Sequence, residues 1–164
     1  MKATSSGLVL GPVLLRGVAF VIDWLAIVVI FAAVASSFGV LDIDDRGRLE
    51  NVESLVILLL TMAIYHIGFL CWRSATLGKM AMNIYVGYPD GTPLRPDTAI
   101  LRFIIFLVEV IIPFGTIINF VLVFVDRDRR AIHDRVAGTI VLAGRPDAPL
   151  KPDSDQQPPS PPRI

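Results

Sequence analysis

Three ionisable side chains, Asp23, His66 and Glu109, lie inside long apolar stretches of this sequence. Inserting an acidic group near the centre of a membrane helix costs about 2.5 to 3.5 kcal/mol, so each of them needs a hydrogen-bonding partner, water or a changed protonation state. Each lies seven residues from an arginine near one end of its stretch; the arginines are Arg16, Arg73 and Arg102. At about 1.5 Å per helical residue, the three groups lie roughly 10 Å from the same membrane boundary. Two interpretations stay open: one layer that binds protons or a small cation, or groups that hydrogen-bond and pack between helices, which is the favoured role for His66.

Three apolar stretches, near residues 17–38, 54–72 and 103–125, must position this layer. The mean hydropathy of the chain is +0.65, and 54% of its residues are hydrophobic. Runs of about 20 apolar residues match the hydrocarbon core of a lipid bilayer, which is about 30 Å thick. The sequence therefore predicts an all-α integral membrane protein. The charge of Asp23 opposes a cleaved signal peptide, so the first stretch is interpreted as a retained span.

The third stretch has basic residues beyond both ends and a helix-breaking sequence in its middle. Pro113 removes a backbone donor and clashes with the preceding turn, and Gly115 permits a reversal of the chain. Two interpretations stay open: a re-entrant hairpin of two half-helices, or one Pro-kinked span. The hairpin is favoured because basic flanks on both sides place both ends in the cytoplasm.

The distribution of lysine and arginine predicts the orientation of the chain in the membrane. Lys2 and Arg16 favour a cytoplasmic N-terminus, whereas the first loop, residues 40–53, is mostly acidic and is predicted to be external. The loop at 73–102 is basic and is predicted to be cytoplasmic. The C-terminus is also cytoplasmic if the third stretch is a hairpin, and external if that stretch is a single span.

Two short segments outside the apolar stretches are typical of β-strands. They lie near residues 83–88 and 138–142, and they can pair into a small cytoplasmic sheet. Residues 144–164 are rich in proline and poor in apolar side chains, which indicates a disordered tail after a membrane domain at residues 1–143.

Composition and motifs argue against several classes of function. The net charge is zero and the isoelectric point is near 6.7, so the chain lacks the excess positive charge that nucleic-acid binding requires. Cys71 has no companion cysteine for a disulfide or a zinc site. His133 and Asp134 are adjacent and do not share a helix face, which disfavours a catalytic dyad. We therefore expect no catalytic residues, metal site or cofactor.

Three blocks of sequence, in this order, resemble the RDD family of bacterial membrane proteins over residues 13–143. The blocks are Arg16 to Asp23, the central loop Thr76-Leu77-Gly78-Lys79 followed by Ile84-Tyr85-Val86 and Asp90-Gly91, and the segment His133 to Val141, which contains Gly138 and Thr139. The resemblance implies that Arg16, Asp23 and Asp134 are the arginine and two aspartates that give the family its name, and that Arg102 is its usual arginine before the third segment. Where the family usually has Gly-Lys-Arg, this chain has Gly78-Lys79-Met80. Glu109 and His66 lie outside the family signature.

The resemblance implies a protein of the bacterial inner membrane with a role in transport, such as exchange of a monovalent cation for protons. Asp23, together with Glu109 and His66, is the candidate coupling group, and Asn119 beyond the Pro-Gly break could offer an oxygen to the cation. Because two spans and a hairpin are small for an enclosed pathway, this hypothesis requires a homo-oligomer. The alternative is a membrane scaffold that recruits a cytoplasmic protein. An accessible Asp23 favours transport, and a buried, permanently paired Asp23 favours the scaffold.

Overall fold

The computed structural model describes residues 7–40, 52–126 and 128–146 of the 164-residue chain. The described elements are six helices and two strands: α1 (Val13–Ser37), α2 (Val52–Arg73), α3 (Leu77–Ala81), β1 (Ile84–Gly87), α4 (Pro96–Ile111), α5 (Gly115–Val125), α6 (Ile132–Val136) and β2 (Ile140–Ala143). The predicted disordered tail beyond residue 146 and most of the acidic first loop lie outside the described residues.

Helices α1 and α2 are the two predicted spans. They are 25 and 22 residues long, and both are apolar enough to cross a membrane. Only 28% of the most apolar part of α1 and 22% of that of α2 is buried inside the protein. Large apolar side chains such as Trp24, Val29 and Ile64 project outward. An apolar outer surface is suited to contact with lipid. A helix is suited to this environment as well, because its backbone N–H and C=O groups form hydrogen bonds with one another.

The third apolar stretch is interrupted where the sequence predicts a helix break. Helix α4 ends at Ile111, Phe114 adopts a left-handed conformation with φ of +63°, and α5 begins at Gly115. A Cβ atom at Gly115 would overlap the carbonyl oxygen of Glu109, so the break requires glycine at this position. Neither α4 nor α5 is a single long span.

Helices α4 and α5, on either side of this break, both contact the start of α6. The side chain of Glu109 in α4 accepts a hydrogen bond from the N–H of His133, and the side chain of Asn119 in α5 accepts one from the N–H of the adjacent Ile132. In one continuous helix, residues 109 and 119 would be about 15 Å apart along the axis. The two side chains instead reach neighbouring backbone atoms at the start of α6, so the break brings both helices into contact with that segment.

Strands β1 and β2 form a two-stranded antiparallel sheet, which confirms that the two strand-like segments pair. Ile84 lies opposite Ala143, and Gly87 lies opposite Ile140. The chain before α1 extends this sheet, because Leu10 forms a bridge with Leu142 and Gly11 donates a backbone hydrogen bond to Val141 at 2.9 Å.

The sheet packs against one end of each of three helices. Ala19 near the start of α1, Leu70 near the end of α2 and Ala99 near the start of α4 are buried in one cluster with residues of the sheet. The start of α1, the end of α2 and the start of α4 therefore share one side of the protein. This arrangement agrees with α1 and α2 running in opposite directions.

Candidate functional site

Asp23 is a buried hydrogen-bond acceptor that ties α1 to the segments following it. Only 5% of the residue is exposed. Its carboxylate accepts hydrogen bonds from the hydroxyl of Tyr65 at 2.6 Å, the hydroxyl of Thr76 at 2.6 Å and the backbone N–H of Gly78 at 2.8 Å. These three donors fix the carboxylate of Asp23 between α1, α2 and the start of α3.

Gly78 allows this arrangement because α3 lies directly against α1. A Cβ atom at Gly78 would overlap the backbone carbonyl of Ala19. Ala19 precedes Asp23 by one helical turn, so the close approach places the N–H of Gly78 next to the carboxylate of Asp23. The glycine of the central loop is thus explained by the contact between the two helices.

Asp134 forms a buried ion pair with Arg102. The carboxylate of Asp134 lies 2.5 Å from the guanidinium of Arg102, and the two residues are 1% and 4% exposed. The backbone N–H of Ala131 donates to the other carboxylate oxygen at 3.0 Å, and Arg102 also donates to the hydroxyl of Thr139. Burial alone would raise the pKa of the Asp134 carboxyl, but the charge of Arg102, aided by its other positive neighbours, holds that pKa well below its usual range.

Arg16 joins the beginning of α1 to the C-terminal part of the domain. It donates to the carbonyl of Arg129 at 2.5 Å and to the carbonyl of Val141 at 3.1 Å, and it lies 3.9 Å from the carboxylate of Asp134. It makes no contact with Asp23 in the described residues, as the direction of its side chain along the helix predicts. Arg16 meets residues of other segments instead, and these place the chain after α5 next to the start of α1.

Glu109 is bound by His133, a pairing that the sequence analysis missed. One carboxylate oxygen accepts from the backbone N–H of His133 at 3.0 Å, and Nδ1 of the same histidine lies 3.3 Å from both oxygens. The sequence analysis compared His133 only with its neighbour Asp134, because those two are adjacent. No signal in a single sequence links residue 109 to residue 133.

The three residues Asp23, His66 and Glu109 line one cavity of about 220 Å³. Apolar walls come from α1, α2, α4 and α5 and include Phe20, Leu70, Phe103, Phe106 and Val123. Arg16, Arg102, Asp134, Asn119, His133 and Lys79 also line it. The three residues of the expected layer thus share one cavity, whose lining is mostly apolar and includes several charged side chains.

Two ionisable residues of this cavity have no hydrogen bond or ion pair to any described residue. His66 lies among aromatic rings, 6.0 Å from Phe103 and 5.2 Å from Phe106 between ring centroids. Lys79 lies in α3 next to Gly78, and burial lowers the pKa of its ammonium group, against the opposing charge of Asp23. These two groups are available for interaction with a ligand in the cavity.

The remaining supporting residues shape the site without entering it. Pro113 and Gly115 form the break between α4 and α5. Gly138 lies between α6 and β2 with φ of +65°, and Thr139 follows it and binds Arg102. Within the described residues, no group of three or more His, Cys, Asp or Glu side chains has the arrangement of a metal site.

Comparison with known proteins identifies the family. A sequence profile described as the RDD family matches residues 10–138. An uncharacterised protein of Bacillus subtilis strain 168, YckC, is 33% identical to this chain over 95 residues, which is 57% of this chain and 60% of the relative. The matched part thus spans less than two thirds of that relative's length, and no solved structure matches the chain. Because the profile covers most of the membrane domain and the chain has two apolar helices of membrane-spanning length, this membrane protein belongs to the RDD family.

Proposed function

We propose that this protein exchanges protons for a monovalent cation across the membrane, and that Glu109 is the carboxylate that receives the cation. The observation that carries the proposal is the position of Glu109: it lines the polar cavity between the helices and lies two residues before the break that ends α4. Broken helices at membrane depth are tolerated where they line a cavity, and they commonly build the ion sites of transporters.

Glu109 is a better candidate than Asp23 for this role. Both oxygens of Asp23 accept hydrogen bonds from groups on other segments, and Asp134 is paired with Arg102. Among the described residues, Glu109 is bound by one residue alone, His133. A small change in the position of α6 would therefore free the carboxylate of Glu109. Freeing the carboxylate of Asp23 would require α1 to separate from both α2 and α3.

The proposal includes a topology. Both α4 and α5 lie within the membrane as a re-entrant hairpin, and both termini of the described chain lie in the cytoplasm. The packing of the start of α1, the end of α2 and the start of α4 on the sheet supports it. The hydrogen bond from Arg16 to Arg129 supports it further, because it brings the chain after α5 to the same side. In this proposal the protein resides in the bacterial inner membrane.

The proposed exchanger is a homo-oligomer. Two long helices and a hairpin form only part of a wall around the cavity, and many large apolar side chains of α1, α2 and α5 face outward. A second copy would supply the wall that isolates the cavity from lipid. The proposed role is transport and needs neither catalysis nor a cofactor.

The test is exchange in proteoliposomes that contain the purified protein and carry a pH gradient. Addition of Na⁺, K⁺ or Li⁺ should dissipate the gradient in the wild type, and choline should not. Glu109→Gln keeps the size of the side chain and removes its charge, so it should abolish exchange while the protein still inserts and folds. The matched control is Glu53→Gln, because Glu53 is an exposed acid in the first turn of α2. Absence of exchange in folded wild-type protein would refute the proposal.

A second candidate function is a membrane scaffold that recruits a cytoplasmic protein. One observation favours it: the three signature residues Arg16, Asp23 and Asp134 are all engaged in contacts between segments of the chain. Asp23 is also the buried, paired residue that is expected of a scaffold, so these contacts together form a structural clasp. In the proteoliposome test, a well-folded wild type without exchange would support the scaffold and direct the search to proteins that bind the sheet.

A further inference from the structure

The cavity carries a balanced set of charges. Three positive and three negative side chains line it: Arg16, Lys79, Arg102, Asp23, Glu109 and Asp134. With both cavity histidines neutral, the net charge is zero as long as Lys79 is protonated. Arginine does not lose its proton in proteins, so Lys79 is the one cation of this set that can become neutral. Loss of its proton leaves one net negative charge in the cavity.

Lys79 differs from the two arginines of this set in its hydrogen bonds. Arg102 is bound to Asp134 and Thr139, and Arg16 is bound to two backbone carbonyls. The ammonium of Lys79 has no such bond within the described residues. Lys79 is half-buried, and desolvation by the surrounding protein lowers the pKa of its ammonium group. The nearest opposing charge, Asp23, already uses its oxygens to accept from three neutral donors.

We propose that Lys79 is the group that couples cation entry to proton release. When a monovalent cation binds in the cavity, one N–H bond of the Lys79 ammonium breaks, its electron pair stays on nitrogen, and the proton passes to solvent on the side to which the cavity opens. One positive charge enters and one leaves, so the cavity stays neutral. This inference rests on the proposed exchange function, but it concerns the proton donor, whereas that function concerns Glu109 and the cation.

Other titratable groups around Lys79 do not serve this role equally well. Asp23 and Arg16 face it from α1, His66 from α2, Arg102 and Glu109 from α4, and His133 and Asp134 from α6. The oxygens of Asp23 already accept from three donors, the charge of Arg102 holds the pKa of Asp134 well below its usual range, and the arginines keep their protons. Histidine ordinarily titrates at lower pH than lysine. The substitution Lys79→Gln distinguishes Lys79 from His66 and His133, because it removes the proton of Lys79 and leaves both histidines in place.

The experiment measures cation binding and proton release together on the purified full chain. Thermal unfolding is followed over a range of pH with Na⁺, K⁺ or Li⁺ chloride, and choline chloride serves as the control for ionic strength. In the wild type, each bound cation should release one proton into weakly buffered solution. The apparent affinity of the wild-type protein for the cation should increase about tenfold for each unit by which the pH is raised, until Lys79 is deprotonated. The increase is expected because cation binding and deprotonation of Lys79 are linked.

Two substitutions at Lys79 and one at a control position complete the test. Lys79→Arg fixes the positive charge and should abolish both cation binding and exchange. Lys79→Gln leaves the cavity with a constant negative charge, so the cation should bind without proton release and without dependence on pH above neutrality. The control is Arg95→Gln, because Arg95 is an exposed cation outside the cavity; it should behave like the wild type.

The outcomes separate this inference from the proposed function. If the wild type exchanges ions and Lys79→Arg exchanges them at the same rate, the inference about Lys79 is wrong and the exchange function stands. Wild-type binding that releases no proton, or proton release that persists in Lys79→Gln, overturns the inference in the same way. If the wild type neither binds cations nor exchanges them, both proposals fail.

Discussion

Arg102 in α4 and Asp134 in α6 form an ion pair at 2.5 Å across 32 residues of sequence. Both side chains are almost completely buried, and Thr139 and the N–H of Ala131 complete their hydrogen bonds. A buried ion pair is strongly destabilising to break, because removal of one charge leaves the other charge unpaired. The second signature aspartate therefore holds α6 and the sheet against the start of α4.

Asp134→Asn should destabilise the protein by about 3 to 5 kcal/mol, because it leaves the guanidinium of Arg102 buried without its counter-charge. The control is Asp126→Asn, since Asp126 pairs with the more exposed Arg135 at 2.7 Å. That substitution should cost about 0 to 1 kcal/mol. Chemical unfolding of both variants in the same detergent measures the difference. Equal effects of the two substitutions would contradict the structural role of the buried pair.

The contribution of Asp134 to stability should decrease in acid. The pKa of its carboxyl is lowered in the folded state from a usual value of 3.8. The contribution is therefore fully present above that value and is lost as the pH falls through the lower folded-state pKa. The stability difference between wild type and Asp134→Asn, measured by unfolding at successive pH values, should be constant near neutrality and diminish below pH 3.8. A difference that stays constant into strong acid would show that the charge of Asp134 is not the cause.

Tyr65→Phe should remove one of the three donors to the Asp23 carboxylate. A hydrogen bond to a charged group contributes about 1.5 to 3 kcal/mol, so the loss should lie in that range. Tyr88→Phe is the matched control, because the Tyr88 hydroxyl bonds the neutral hydroxyl of Thr98, and its loss should cost about 0.5 to 1.5 kcal/mol. A smaller effect at position 65 than at position 88 would indicate that Asp23 is not held as the structure shows.

Gly78→Ala should destabilise the protein by about 1 to 3 kcal/mol, the typical cost of adding a group to a filled space. The added methyl group would push α3 away from Ala19 and lengthen the hydrogen bond to Asp23. Gly68→Ala is the control, because Gly68 lies within α2 with no atom near its added Cβ. That substitution should be neutral or stabilise the helix by up to about 1 kcal/mol. Thermal unfolding compares the two, and tolerance of alanine at position 78 would contradict the close approach of α3 to α1.

The proposed re-entrant hairpin predicts that both termini lie in the cytoplasm. A fluorescent protein that folds only in the cytoplasm, fused to the C-terminus, should therefore be bright, and a phosphatase active only outside the membrane should be inactive at the same position. A fusion after residue 45, in the acidic loop, should give the opposite pattern. Phosphatase activity at the C-terminus would instead establish a single kinked span across the membrane.

Much of the fold follows from local properties of the sequence. The lengths of the apolar runs identify α1 and α2 as spans, because about 20 apolar residues in a helix cross the hydrocarbon core. In lipid the backbone N–H and C=O groups must form their hydrogen bonds within the segment, which favours a helix. Pro113 and Gly115 identify the break in the third stretch, since proline cannot continue a helix hydrogen-bond ladder. The β-branched segments at 84–87 and 140–143 identify the strands. The spacing of seven residues from an arginine predicts similar depths for Asp23, His66 and Glu109, and the three residues line one cavity.

Tertiary structure decided which groups these residues meet. Asp23 binds Tyr65, Thr76 and Gly78, Glu109 binds His133, and Arg16 binds carbonyls more than 100 residues away. Helical periodicity reports the face of a residue on its own helix and carries no information about the segment that packs there. The break between α4 and α5 and the docking of α6 bring distant residues together. The sequence by itself thus determined where charges enter the apolar region, and only the packing of the segments decided that Asp23 is locked while Lys79 is left without a hydrogen-bonding partner in the described cavity.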